Sequence, residues 1–201
     1  MSYSNFTLEE VKQKFALKTI EKIDTFTDIN TLNSSEILQI ILQDNLPIAI
    51  ASNSEKARSE MIIAPILVEL IRNFGDKINL FSGVNFTVDD TQELNGICDF
   101  LITHSPEKLT ISAPIITLVE AKKENLNAGL GQCIAEMVAA QIFNKKEKND
   151  ISTILGVVTS GTNWRFLKLE KNNIYIDLSE YYLSDLDKIL GILASSIEQF
   201  K

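Results

Sequence analysis

The stretch IITLVEAKK, residues 115–123, decides how the fold of this chain is interpreted. A run of β-forming residues from Ile115 to Val119 is followed at once by charged side chains. Such an apolar run is typical of a strand that is covered on both faces. Because alternate side chains of a strand share a face, Glu120 and Lys122 project together. The stretch therefore predicts a buried strand that ends in a neighbouring carboxylate and ammonium group, although a solvated salt bridge would give the same pattern.

The rest of the chain predicts an α/β fold, with a mixed central β-sheet flanked by helices. Periodic apolar positions and capping residues indicate helices, and runs of β-formers bounded by turn residues indicate strands. Helices are expected over 7–22, from Ser34 or Ser35 to about 43, and over 54–75, 128–143 and 184–200; strands are expected over 78–88, 96–105, 113–123, 151–160 and 164–170. We expect an N-terminal helical extension, residues 1–50, packed on a main domain of residues 51–201.

Composition and charge limit the classes of function. With 201 residues of which 45% are apolar, the chain can bury a sizeable core in one domain. A net charge of −8 argues against a protein that coats nucleic acid non-specifically, but it allows an enzyme with one local basic patch and a bound metal ion. No apolar run approaches the ~20 residues that cross a bilayer, and a signal peptide is not evident. A cytoplasmic protein without membrane association is expected.

Two further acidic residues lie in apolar surroundings. Glu60 falls within the apolar stripe of the helix over 54–75, whereas Glu69 projects from the opposite side and is expected to face solvent. Asp99 interrupts the apolar strand segment GICDF. Buried carboxylates are costly unless they are paired, hydrogen-bonded or bound to a cation. Two simpler interpretations remain open: Glu60 could extend into solvent from the first helical turn, and Asp99 could accept a hydrogen bond from a nearby backbone amide.

Together with Glu120, these two acidic residues form a candidate metal site. Glu60, Asp99 and Glu120 could converge on one Mg²⁺ ion, which prefers oxygen ligands and usually keeps several waters; Mn²⁺ is an alternative. Lys122 beside such a site could orient water and stabilise the charge that develops during phosphodiester hydrolysis. The hypothesis requires all four side chains to lie within one small site.

These motifs resemble those of the PD-(D/E)XK nuclease superfamily, which has the restriction-endonuclease-like fold. The resemblance covers residues 54–170 and rests on the helical Glu60, on Asp99 in GICDF, on the pair Glu120 and Lys122 in VEAKK, and on Gln132 in GLGQCIAEM. The hairpin segment TSGTNWRF, residues 159–166, is similar to the T-x-G-x-x-W-x-F segment of domains related to the N-terminal nuclease of type I restriction enzymes.

The resemblance implies a function and a role for each motif residue. Asp99 and Glu120 would be metal ligands, Lys122 the catalytic lysine, Glu60 a further ligand, and Gln132 a helix residue that faces the site. It implies a Mg²⁺-dependent DNA endonuclease, acting as a homodimer or with a partner of a restriction or defence system. The alternative is a non-catalytic member of the same fold that binds a protein or nucleic-acid partner, because fold alone does not determine function. Gln132 could also simply face solvent.

Overall fold

The computed structural model describes residues 2–149, 151 and 153–200; Met1, Asp150, Ser152 and Lys201 lie outside them, so the predicted strand over 151–160 is described only in part. The helices are α1 (Leu8–Lys14), α2 (Glu36–Ser52), α3 (Glu55–Arg58), α4 (Ala64–Phe74), α5 (Leu130–Lys146) and α6 (Leu186–Glu198), and a π-helical turn at Ser59–Ile63 joins α3 to α4. The strands are β1 (Lys18–Lys22), β2 (Asn79–Asn85), β3 (Ile97–Thr103), β4 (Ile115–Ala121), β5 (Thr153–Thr159), β6 (Asn163–Glu170), β7 (Asn173–Asp177) and β8 (Tyr181–Tyr182). Short 3₁₀ turns occupy Tyr3–Asn5, Gly75–Lys77, Asp90–Gln92, Leu126–Gly129 and Leu183–Asp185.

All eight strands belong to one mixed sheet, so the predicted α/β architecture is confirmed. The strand order is β1-β7-β6-β5-β4-β3-β2, and β8 pairs with the start of β6. The pairs β4–β5 and β1–β7 are parallel, and the other pairs are antiparallel. Strand β4 lies inside the sheet and is buried at every position, as its run of β-formers predicts.

Helices cover both faces of the sheet. Helix α5, with α1 beside it, packs on one face, and α2, α4 and α6 form the layer on the other. Helix α5 approaches β5 closely at Gly156, where an added Cβ atom would lie 2.3 Å from the sulfur of Met137. None of the helices within the described ranges has the length and apolar character needed to cross a membrane.

The N-terminal segment differs from the helix predicted over residues 7–22. The capping box of Thr7 and Glu10 is present, but α1 ends at Lys14, and Ala16 adopts a positive φ of 50°. Residues Lys18–Lys22 then form β1, which pairs in parallel with β7. The hydrogen-bonding partner of β1 comes from the far end of the chain and outweighs the local helical pattern. The first fifty residues are therefore not purely helical, because they supply an edge strand of the sheet.

The segment predicted as one helix over 54–75 is interrupted by the π-helical turn at Ser59–Ile63. Pro65 has no backbone N–H, so it cannot donate to the carbonyl oxygen of Met61, one turn earlier in an α-helix. The side-chain amide of Asn45, on α2, donates to that oxygen instead, at 3.0 Å. The wider turn adds a residue to the helical repeat and changes the relative orientation of the side chains on its two sides.

Two glutamates on this segment lie in contrasting environments. The side chain of Glu60 is 62% exposed and forms an ion pair with Lys56, with its oxygen 3.7 Å from the ammonium nitrogen. Glu69 is only 2% exposed, because α2 packs over its side of α4. Its carboxylate accepts hydrogen bonds from the backbone N–H and hydroxyl of Ser35, at 2.9 and 3.0 Å. Glu69 is therefore buried where exposure to solvent was expected, whereas Glu60 extends into solvent, as its simpler interpretation allowed.

Candidate active site at the ends of strands β3 and β4

The antiparallel pairing of β3 with β4 brings Asp99 next to the end of β4. Phe100 lies opposite Val119, so the start of β3 and the end of β4 lie side by side, at the same end of the two strands. The Oδ2 atom of Asp99 accepts a hydrogen bond from the backbone N–H of Ala121, at 2.8 Å. Asp99 therefore does make the backbone bond of the simpler interpretation, and this bond also holds its carboxylate beside Glu120.

Glu120 lies at the centre of a network of polar side chains. Its side chain is almost fully buried, with 1% of the residue exposed. The Nζ atom of Lys122 donates to Glu120 Oε1 and forms an ion pair with it. The Nε2 atom of Gln132, on α5, donates to Glu120 Oε2 at 2.8 Å, and Lys122 Nζ lies 3.4 Å from Gln132 Oε1. Gln132 faces the site, as the resemblance implies, and not the solvent.

Burial and neighbouring charges shift the ionisation of this pair. Burial raises the pKa of the Glu120 carboxyl to about 8; the charge of Asp99 adds to the rise, and Lys122 opposes it. Burial alone would lower the pKa of Lys122, but the attraction of Glu120 outweighs it, so the lysine pKa is raised. The lysine is therefore an ammonium group, and the surroundings of Glu120 disfavour the ionised form of its carboxyl.

Near the start of the helical segment over 54–75, the carboxylate whose charge shifts the pKa values of this cluster is Glu55. The negative charge of Glu55, in the first turn of α3, contributes to the raised pKa values of both Glu120 and Lys122. Glu60 lines a groove between α2 and α4. The structure thus brings together Asp99, Glu120, Lys122 and Gln132, and it leaves out Glu60. Glu60 is exposed and pairs with Lys56, so this geometry gives no support to its predicted role as a ligand.

Glu136 is a site residue that the sequence analysis missed. It lies one turn after Gln132 on α5 and is fully buried, with 0% exposed. Its Oε1 atom accepts a hydrogen bond from Gln132 Nε2 at 3.1 Å. Burial, followed by the charge of Glu120, raises the pKa of its carboxyl. A glutamate within an otherwise apolar helix, four residues after Gln132, was the sequence signal that could have identified it.

The hairpin between β5 and β6 supports the end of β4. The backbone N–H of Lys122 donates to the carbonyl oxygen of Thr159 at 2.8 Å. The Thr159 hydroxyl accepts the N–H of Gly161, and the indole N–H of the buried Trp164 donates to the Gly161 carbonyl oxygen at 2.9 Å. The TSGTNWRF segment therefore fixes the backbone that carries Lys122.

The acidic residues of this cluster provide few ligands for a cation. Among the residues that the structure describes, no group of three or more histidine, cysteine or acidic side chains is arranged to hold a metal ion. Asp99 and Glu120 nevertheless fit a hard cation, because a cation would offset the unfavourable charge of the buried Glu120. Each carboxylate oxygen has two lone pairs, so one hydrogen bond does not prevent coordination. Mg²⁺ is commonly held by one or two carboxylates and retained waters.

Comparison with known proteins adds no assignment: no protein-family model matches the chain, and no curated protein matches its sequence.

Proposed function

We propose that this protein is a metal-dependent DNA endonuclease of the PD-(D/E)XK type, with Mg²⁺ or Mn²⁺ held by Asp99 and Glu120. The observation that carries the proposal is the meeting of these two carboxylates with Lys122 at the ends of β3 and β4. Gln132 joins them from the helix that follows β4. The mixed sheet with helices on both faces is compatible with a restriction-endonuclease-like domain.

Each chain residue has a distinct task in this proposal. A bound Mg²⁺ would supply Lewis acidity and lower the pKa of a coordinated water. Lys122, fixed by Glu120 and Gln132, would place its ammonium group where negative charge develops on the phosphate oxygens. Asp99, tied to the Ala121 backbone, would keep its carboxylate at a constant distance from Glu120. Such prior positioning lowers the reorganisation that hydrolysis would otherwise require.

The charge of the protein restricts how DNA would bind. With a net charge of −8, the chain cannot attract the phosphate backbone over its whole surface, so contact is expected to be local and to use few phosphates. Cutting both strands of a duplex would use two copies of the site, so a homodimer, or a partner from a restriction or defence system, belongs to the proposal. Action in the cytoplasm is part of it as well.

The test is cleavage of supercoiled, linear and single-stranded DNA in Mg²⁺ or Mn²⁺. We expect Lys122→Ala and Glu120→Gln each to lower the cleavage rate by ~100- to 1000-fold, since each removes an electrostatic contribution to the transition state. Glu60→Gln is the matched control, because it makes a similar change at an exposed site and should leave the rate unchanged. An inert wild type, or variants that cut as fast as the wild type, would contradict the nuclease proposal.

The second candidate is a non-catalytic protein of the same fold that binds a partner. One observation favours it: both carboxylate oxygens of Glu120 already accept hydrogen bonds from Lys122 and Gln132, so the cluster is held together without a cation. A wild-type protein that neither cuts DNA nor releases heat when titrated with Mg²⁺ would support this second function.

A further inference from the structure

The buried carboxyl of Glu136 is only half satisfied. Oε1 accepts the hydrogen bond from Gln132 Nε2, but Oε2 is buried and has no hydrogen-bond partner among the residues that the structure describes. No ion pair within the described residues includes Glu136. A carboxyl oxygen without a partner in the core destabilises a protein.

The surroundings of Glu136 would suit an apolar side chain. One turn away on the same side of α5 lie Cys133, Ala139 and Ala140, which are buried, and the helix packs against the apolar face of the sheet. Replacing a buried ionic group by an apolar residue of similar volume is often neutral or stabilising. Global stability therefore does not account for a glutamate at this position. The hydrogen bond that it accepts from Gln132 does indicate a role.

That contact fixes which way the Gln132 amide points. The two N–H bonds of Nε2 are directed at two carboxylates, Glu120 Oε2 at 2.8 Å and Glu136 Oε1 at 3.1 Å. If the amide were turned over, both hydrogen bonds from Nε2 would be lost and its NH₂ group would face the Lys122 ammonium, which is also a donor. The amide oxygen is left facing Lys122, whose Nζ lies 3.4 Å away.

We infer that Glu136 is a positioning residue that locks the Gln132 side chain in one orientation. In this way it holds the side chains of Lys122 and Glu120 in fixed positions relative to each other. The catalytic consequence rests on the proposed nuclease function, but the locked amide itself does not. Glu136 makes no hydrogen bond to Lys122 or Glu120 within the described residues, so its hydrogen-bonded route to them runs through Gln132.

Two substitutions separate positioning from packing. Glu136→Met keeps the side-chain size and removes the acceptor, so kcat for DNA cleavage should fall by ~10- to 100-fold, as is usual when the support of a site residue is lost, with KM unchanged. Glu136→Gln keeps an acceptor oxygen for Gln132 Nε2 and should restore most of the rate. The denaturation midpoint of Glu136→Met should equal or exceed that of the wild type, which a purely structural role would not allow.

A double-mutant cycle tests the route of the effect. In a Gln132→Ala background, Glu136→Met should cause no further loss of kcat, because the group through which it acts is absent. Equal losses in the Met and Gln variants, or losses that multiply in the double variant, would overturn the inference.

NMR of the Gln132 side chain separates failure of this inference from failure of the nuclease proposal. The Gln132 NH₂ signals, assigned by their disappearance in Gln132→Ala, should be slow to exchange with water in the wild type and in Glu136→Gln, and fast in Glu136→Met. This result would support the lock even if the wild type cut no DNA. Slow exchange that persists in Glu136→Met would overturn it, whatever the activity.

Discussion

Glu69 and Glu120 are both buried glutamates, yet their surroundings differ in kind. Glu69 is 2% exposed and Glu120 is 1% exposed. Glu69 accepts from the backbone and hydroxyl of Ser35 and pairs with Arg72, whose Nη1 lies 3.3 Å from its Oε2. Glu120 instead shares its site with other carboxylates: the charge of Asp99 raises its pKa directly. Burial is common to both, so burial alone does not identify a functional carboxylate.

The two carboxylates differ in the hydrogen-bond donors and charges that surround them. Ser35 begins α2, and its hydroxyl also accepts the backbone N–H of Leu38, so Glu69 secures the start of one helix against another. The surroundings of Glu120 leave part of its charge uncompensated and raise its pKa to about 8. Carboxylates that have a shifted pKa and lie beside a like charge are characteristic of functional sites. Carboxylates whose oxygens are fully hydrogen-bonded and paired with a cation are characteristic of structural contacts.

The largest expected effect is at the acidic side of the site. Asp99→Asn should abolish the heat of Mg²⁺ binding in calorimetry and lower DNA cleavage by ~100- to 1000-fold, because the ligand loses its charge. The asparagine oxygen can still accept the Ala121 N–H, so the fold should persist. Glu69→Gln, which changes an equally buried carboxylate outside the site, should bind Mg²⁺ like the wild type. Equal Mg²⁺ affinity in Asp99→Asn and the wild type would remove the distinction between the two regions.

The pH dependence of stability should reveal the raised pKa of Glu120. A carboxyl whose folded pKa is raised binds its proton more tightly when folded, so its contribution to stability is greatest at low pH and is lost as pH rises. For Glu120 the loss should extend from about pH 4.5 to about pH 8 and reach several kcal/mol, since one pKa unit corresponds to about 1.4 kcal/mol. Denaturant unfolding across this range should show a flatter profile for Glu120→Gln. Parallel profiles for the variant and wild type would contradict the expectation, and added Mg²⁺ should flatten the wild-type profile.

A smaller effect, on stability alone, is expected at Glu69. Glu69→Ala leaves the Ser35 N–H without its partner and Arg72 unpaired, so the free energy of unfolding should fall by about 3 kcal/mol. Glu60→Ala, on the exposed side of the same helical segment, should change it by less than about 0.5 kcal/mol. Urea denaturation measures both. Similar losses for the two variants would show that the exposures of Glu60 and Glu69 are not what separates them.

The sequence predicted that Asp99 and Glu120 lie together, because the signals for these two positions are local. The β-formers of β3 and β4 are interrupted by Asp99 and ended by Glu120, and consecutive antiparallel strands place these positions together. Gln132 followed from the resemblance. Glu136 was missed because α5 looked uniformly apolar.

The errors arose where distant residues decide local structure. A constant helical period placed Glu60 in the apolar stripe, but the π-helical turn before Pro65 and the Asn45 side chain break that period. Glu69 is buried by α2, whose position on α4 no pattern in the 54–75 segment reveals. The strand β1 was taken for helix because its partner β7 is remote in sequence.

The pairing of β1 with β7 also sets an order of events during synthesis on the ribosome. Strand β1 is made early, but the strand with which it pairs emerges only after most of the chain. Until then its N–H and C=O groups have no sheet partner, and contacts of such long sequence separation form slowly. The sheet from β2 to β6, which carries the candidate site, can assemble first. The N-terminal segment can then dock on β7, so that β1 and not β7 forms that edge of the sheet.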